Sequence, residues 1–86
     1  MNITDVLAAF GDDSKATYST LAQRLNLRQG HVEAIAFASK LDKFNLHTKV
    51  ARIGSKIVRA YERSHFQQVA DTKQPYQAPP ALEITL

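Results

Sequence analysis

Five cations of this chain keep a common spacing: Lys49, Arg52, Lys56, Arg59 and Arg63 recur at intervals of three and four residues. On a helix that spacing makes a single row, and like charges so placed repel by about 0.2–0.5 kcal/mol per neighbouring pair. A phosphate backbone or an acidic protein surface laid along the row relieves the repulsion. The plainer reading has the Lys and Arg stems shielding apolar neighbours while their heads stay in water.

Other chemistry is hard to assemble. His31, His47 and His65 lie too far apart in sequence for a helical metal pair, and cysteine is absent, which excludes disulfides and Cys-ligated zinc. There is no Gly-rich phosphate loop and no serine in an elbow motif. Asp12-Asp13 reads as a pair that caps or precedes a helix. The sequence therefore predicts a protein that is not an enzyme and uses no cofactor and no metal.

The charge is unevenly spread. The net value is +3, yet residues 1–13 carry Asp5, Asp12 and Asp13 without a base. Residues 14–66 hold ten Lys or Arg against Glu33, Asp42 and Glu62. A basic middle points to a polyanionic partner. The 86 residues suffice for one small domain. No apolar run approaches the ~20 residues that span a bilayer, and the acidic N-terminus does not read as an export signal. A reducing cytoplasm is the expected setting.

The elements that must carry these side chains read mostly as helices. Ile3, Val6, Leu7 and Phe10 form a short first helix, with Asn2 or Thr4 as N-cap and Gly11 as stop. A second helix starts between Thr17 and Thr20, buries Leu21, Ala22 and Leu25, and ends near Asn26. A third runs from Arg28 or Gln29 to Lys43, with a broad apolar face. From Leu46, two periods compete. Leu46, Val50, Ile53, Ile57, Ala60 and Ser64 suit a long fourth helix reaching Asp71, whereas Phe44, Leu46, Thr48 and Val50 alternate as a short strand would. The helical pattern covers more residues and is preferred, with a start near Asn45 or Thr48, although Gly54 costs it about 1 kcal/mol. Residues 71–86 contain all three prolines and read as an extended tail. There Leu82, Ile84 and Leu86 alternate as a strand added to a partner would.

Tyr18 to Phe37 resembles the helix-turn-helix motif. Ala22 stands where that family keeps a small residue at the helix crossing. Leu21, Leu25 and Leu27 match apolar positions around the turn, and Val32 and Ile35 match the anchors of the second helix. Asn26 stands where one residue must take positive φ, and Leu27 plugs the angle between the helices. The resemblance implies an all-α or mainly α domain over residues 1–70: a tri-helical core, a long fourth helix and the tail of residues 71–86. It also implies double-stranded DNA as partner, with Arg28, Gln29 and His31 reading bases. Arg28 suits guanine O6 and N7, Gln29 suits adenine N6 and N7, and His31 donates to a phosphate or a base acceptor. Lys49, Arg52, Lys56, Arg59 and Arg63 would then hold phosphates.

Two features depart from the family pattern. Gly30 weakens the start of the reading helix, and the run Ala34 to Ala38 leaves that helix apolar on most sides. The excess suggests a homodimer surface built from Phe37, Leu41 and Phe44, acting on a two-fold operator. If residues 44–50 form a strand instead, the motif becomes winged, with His47 and Lys49 on the wing. The expected function is a sequence-specific transcriptional regulator. The competing expectation is a small inhibitor or adaptor that turns its basic row toward an acidic protein partner.

Overall fold

The structure, a computed structural model, describes residues 2–28 and 30–78. Its elements run α1 (Ile3–Phe10), β1 (Lys15–Ala16), α2 (Tyr18–Arg24), α3 (Val32–Lys43), β2 (Lys49–Ile53), β3 (Lys56–Glu62) and α4 (Arg63–Thr72). The expectation of an all-α fold is wrong: four helices pack with a three-stranded antiparallel sheet of order β1-β3-β2. The main change lies in residues 49–62, where a hairpin replaces most of the expected long helix.

The hairpin wins for local reasons. Ile53 pairs with Lys56, which leaves Gly54-Ser55 as a two-residue loop. Gly54 takes φ 64° and Ser55 does not share its positive φ, the conformation of a type II′ turn with Gly first. Val50, Ile53, Ile57, Val58 and Tyr61 are β-branched or aromatic, which favours a pleated surface over a helix. A helix through Gly54 would lack both advantages.

The N-terminal half follows its sequence signals closely. Asn2 caps α1 in a capping box with Asp5, and Gly11 ends the helix at φ 58°. Thr17 caps α2 through the Thr20 amide. Asn26 takes φ 57°, as its residue type predicts for the turn, and the Leu27 amide donates to the Ala22 carbonyl at 2.8 Å. Asn45 repeats the device after α3, at φ 58°. Arg24 ties the first two helices together. Its guanidinium donates to the Ala9 and Phe10 carbonyls at the end of α1 and pairs with Asp13 at 3.0 Å. A cation at a helix C-terminus is favourable, so Asp13 serves this clamp rather than a helix start.

One core gathers Val6, Phe10, Leu21, Phe37, Leu46 and Phe66. Phe66 of α4 meets Phe10 with ring centroids 5.2 Å apart and meets Tyr61 edge-on at 5.8 Å. Phe37 and Leu41 are buried and Phe44 packs against the same core. Phe37 and Leu41 are therefore occupied within the chain, which leaves only the partly buried Phe44 of the expected dimer surface. Conversely, Val32 and Ile35 do not anchor α3 from below: they are 76% and 59% exposed, and Ala34, Phe37 and Leu41 take the inward positions.

The segment after α4 folds back on the domain. The Tyr76 amide donates to the Phe44 carbonyl at 2.8 Å, and the Asn45 side chain donates to the Tyr76 carbonyl at 3.1 Å. The Gln68 side chain both donates to and accepts from the Gln77 backbone. Asp71 and Thr72, expected in the tail, belong to α4. The strand-like alternation of Leu82, Ile84 and Leu86 lies outside the described residues.

Candidate nucleic-acid interface

A strand pairing sorts side chains by face, and that sorting redistributes the basic row. Lys49 and Lys56 fall on one face of the hairpin, Arg52 and Arg59 on the other. Lys49 faces Ala60, Arg59 faces Val50, Arg52 faces Ile57 and Lys56 faces Ile53. Each hairpin cation is thus directly opposite an apolar residue, so the repulsion expected of a helical row is avoided. Arg52 and Arg59 remain diagonal neighbours on one face, at a separation of roughly 7–8 Å between backbones. All four cations are exposed, and among the described residues none is paired with a carboxylate.

Arg63 leaves the group altogether. It opens α4, its amide donates to the Ser14 carbonyl at 2.9 Å, and its Nε is buried without a hydrogen-bond partner. The assignment of Arg63 to a row with the other four is corrected accordingly. His47 is exposed just ahead of β2, its Nε2 2.9 Å from the Asn45 side-chain oxygen, and so lies at the base of the hairpin rather than on it.

The residues expected to read bases lie ahead of the helix. The helix α3 begins at Val32, four residues later than the earliest expected start, and His31 is its N-cap without a side-chain capping bond. Arg28 is exposed in the connection between α2 and α3. Gln29 lies outside the described residues. Gly30 takes φ 77°, so it bends this connection instead of weakening a helical turn.

What α3 presents outward follows from its period. With Ala34, Phe37 and Leu41 inward, Val32, Ala36, Ser39 and the terminal Lys43 fall on the opposite side, and Ile35 beside them. All five are exposed. The flank of this ridge toward α2 and the hairpin carries two cations, while Glu33 lies on the other. Arg28, Tyr18, Ile35 and Ala38 line a hollow between α2 and α3. Arg59 lines an adjoining hollow with Tyr18, Ala38 and Asp42. Tyr18 and Ala38 belong to both, so the helix ridge and the Arg52–Arg59 face of the hairpin join into one surface. Tyr18 is held there by stacking on Phe37, with centroids 5.8 Å apart.

Sequence reasoning misses this junction and the apolar residues in it. Val50 and Ile57 are 68% and 69% exposed on the same hairpin face as Arg52 and Arg59. The usable signal is Gly54-Ser55 between β-branched segments, which fixes the register and thereby every face assignment. No group of His and acidic residues that could hold a metal occurs among the described residues. No helix among them is long and apolar enough to cross a membrane. Comparison with protein-family models, curated proteins and solved structures finds no match to this chain.

Proposed function

We propose that the chain is a winged helix-turn-helix protein that binds specific duplex DNA and regulates transcription. The observation that carries this reading is the continuous surface on which α3 lies exposed beside Arg28 and Arg59. A helix so presented matches the major groove, and the two cations along its flank match a phosphate wall. Arg28 and His31 act from the turn, while Arg52 and Arg59 hold backbone phosphates from the hairpin face that joins the α3 surface. A single module of this kind covers only about 600–1,000 Å² of protein surface on DNA, so useful selectivity favours two copies on a two-fold site. The reading includes a cytoplasmic location, where such a protein has access to its DNA.

The test is fluorescence anisotropy with a duplex from upstream of the chain's own gene and a random duplex, at two salt concentrations. Selective binding with a log–log salt slope of about −3 per protomer is expected for about three phosphate contacts. Arg52→Ala with Arg59→Ala should reduce that slope by about two and weaken both duplexes similarly.

Val50 and Ile57 favour a second reading, in which this mixed apolar and basic hairpin face docks an acidic protein. Weak binding, equal on the two duplexes, would support that reading against the first.

A further inference from the structure

The outward ridge of α3 has an unusual chemistry for a helix that lies in a groove. Val32, Ile35 and Ala36 carry no hydrogen-bonding group, and Ser39 is the single polar side chain of the ridge before Lys43 at its end. The floor of the major groove is almost entirely polar. Guanine offers O6 and N7, cytosine its N4 amine, and adenine N7 and N6. Pressed against these, Val32 and Ile35 would strip water from donors and acceptors and return nothing, which costs free energy for each group left unpaired. One standard base departs from the pattern: thymine projects its C5-methyl into the groove.

We propose that the ridge selects its DNA by apolar contact with thymine methyl groups. The proposal rests on the DNA-binding reading above and names what that site recognises. The flanking charges support duplex DNA as the occupant of the ridge. Arg28 and Arg59 both lie along the flank that the ridge shares with α2 and the hairpin, with Arg52 farther along the hairpin. A phosphate strand laid along that flank would meet both cations. The dimensions also agree. Val32 to Ser39 spans seven helical steps, about 10 Å, which corresponds to about three base pairs at 3.4 Å each. The preferred half-site therefore contains thymines at two or three neighbouring base pairs, on either strand. Ser39, at the far end, is free to accept from or donate to an adjoining base.

Replacing thymine by deoxyuridine tests this directly, because it removes the methyl and leaves hydrogen-bonding edges and phosphates intact. A duplex is selected from a randomised pool with the full chain, and its thymines are replaced singly and together. The expected result is a loss of about fourfold in affinity for each contacted methyl, with an unchanged salt slope. Val32→Ala combined with Ile35→Ala should bring the thymine-to-deoxyuridine ratio toward one. Both positions are exposed, so the variant should fold, and its circular dichroism and melting curve check that. Equal affinity of the wild type for the two duplexes overturns the proposal while leaving DNA binding intact. Failure to select any duplex overturns the DNA-binding reading and this inference with it. If the double variant instead lowers the sedimentation mass of the free protein, and the ratio was already one, the ridge is covered by a second copy and the proposal fails.

Discussion

His65 is buried in α4, its ring stacked on Tyr76 at 4.0 Å. Burial pushes its pKa below the ordinary value, opposed by the Glu62 carboxylate 3.4 Å away and assisted by the charge of Lys49. Because the folded value lies below the unfolded one near 6.5, the unfolded chain takes up the proton first. The neutral ring therefore contributes its full stability above that pH, and the contribution shrinks as pH falls through the interval beneath it. Urea midpoints measured at pH 7.5 and pH 5 should fall farther for the wild type than for His65→Phe. Equal losses would place the titrating group elsewhere. Tyr61 shows the same physics in the other direction: burial raises its phenol pKa, and Tyr18 and Asp42 add to the rise. Asn26 shows how directly one residue can be read. Its short polar side chain tolerates the left-handed conformation, and the chain turns there at φ 57°. Val32 and Ile35 show the opposite. Apolar character does not oblige a residue to be inside, so hydropathy alone puts them on the wrong side of α3.

Among the elements, the hairpin depends most on a single position. The space around Gly54 is open, so an added side chain meets no obstacle, and the constraint is its φ of 64°. Gly54→Val should therefore cost about 1–2 kcal/mol in thermal or urea unfolding, and Gly54→Asn distinctly less. The same residue explains why the segment misleads when read as sequence. Between Leu46 and Ser64 the apolar residues satisfy three-and-four spacing. Val50 and Ile53 fall on opposite faces of β2, and Ile57 and Ala60 on opposite faces of β3, so no alternation announces the strands. Only the turn marks the hairpin. By contrast, α1 and α2 are legible because their caps are local: Asn2 with Asp5, and Thr17 with Thr20, each close a bond within four residues. The inward row of α3 is less legible because Ala34, Phe37 and Leu41 compete with an equally apolar row on the other side. Bulk decides that contest, since Phe37 and Leu41 fill more of the core than Val32 and Ile35 would.

At the scale of the whole molecule, a chain of 86 residues has little stability to spare. Phe37 is 1% exposed and lies in the single core described for the chain. Phe37→Ala should remove about 3–5 kcal/mol, a large share of the ~5–15 kcal/mol typical of a folded domain. The loss should not depend on protein concentration, because the ring is buried by its own chain. A melting temperature that recovers with concentration would return Phe37 to a subunit interface. The candidate surface is likewise a property of the whole rather than of any element. Arg28, Ile35 and Arg59 come from a turn, a helix and a strand, and no spacing in the sequence announces that they meet.

The return of residues 73–77 has a further consequence, best put in terms of tethers. The chain does not leave the domain where α4 stops. It is fastened again at Tyr76 and Gln77, next to the Phe44 and Asn45 backbone that leads toward the hairpin. Anything joined after this point starts from a fixed anchor beside the basic strands, not from the end of a helix. A shorter effective leash raises the local concentration of whatever it holds. A fused reporter or binding peptide placed there would thus sample the neighbourhood of Lys49 far more often than α4 alone would allow.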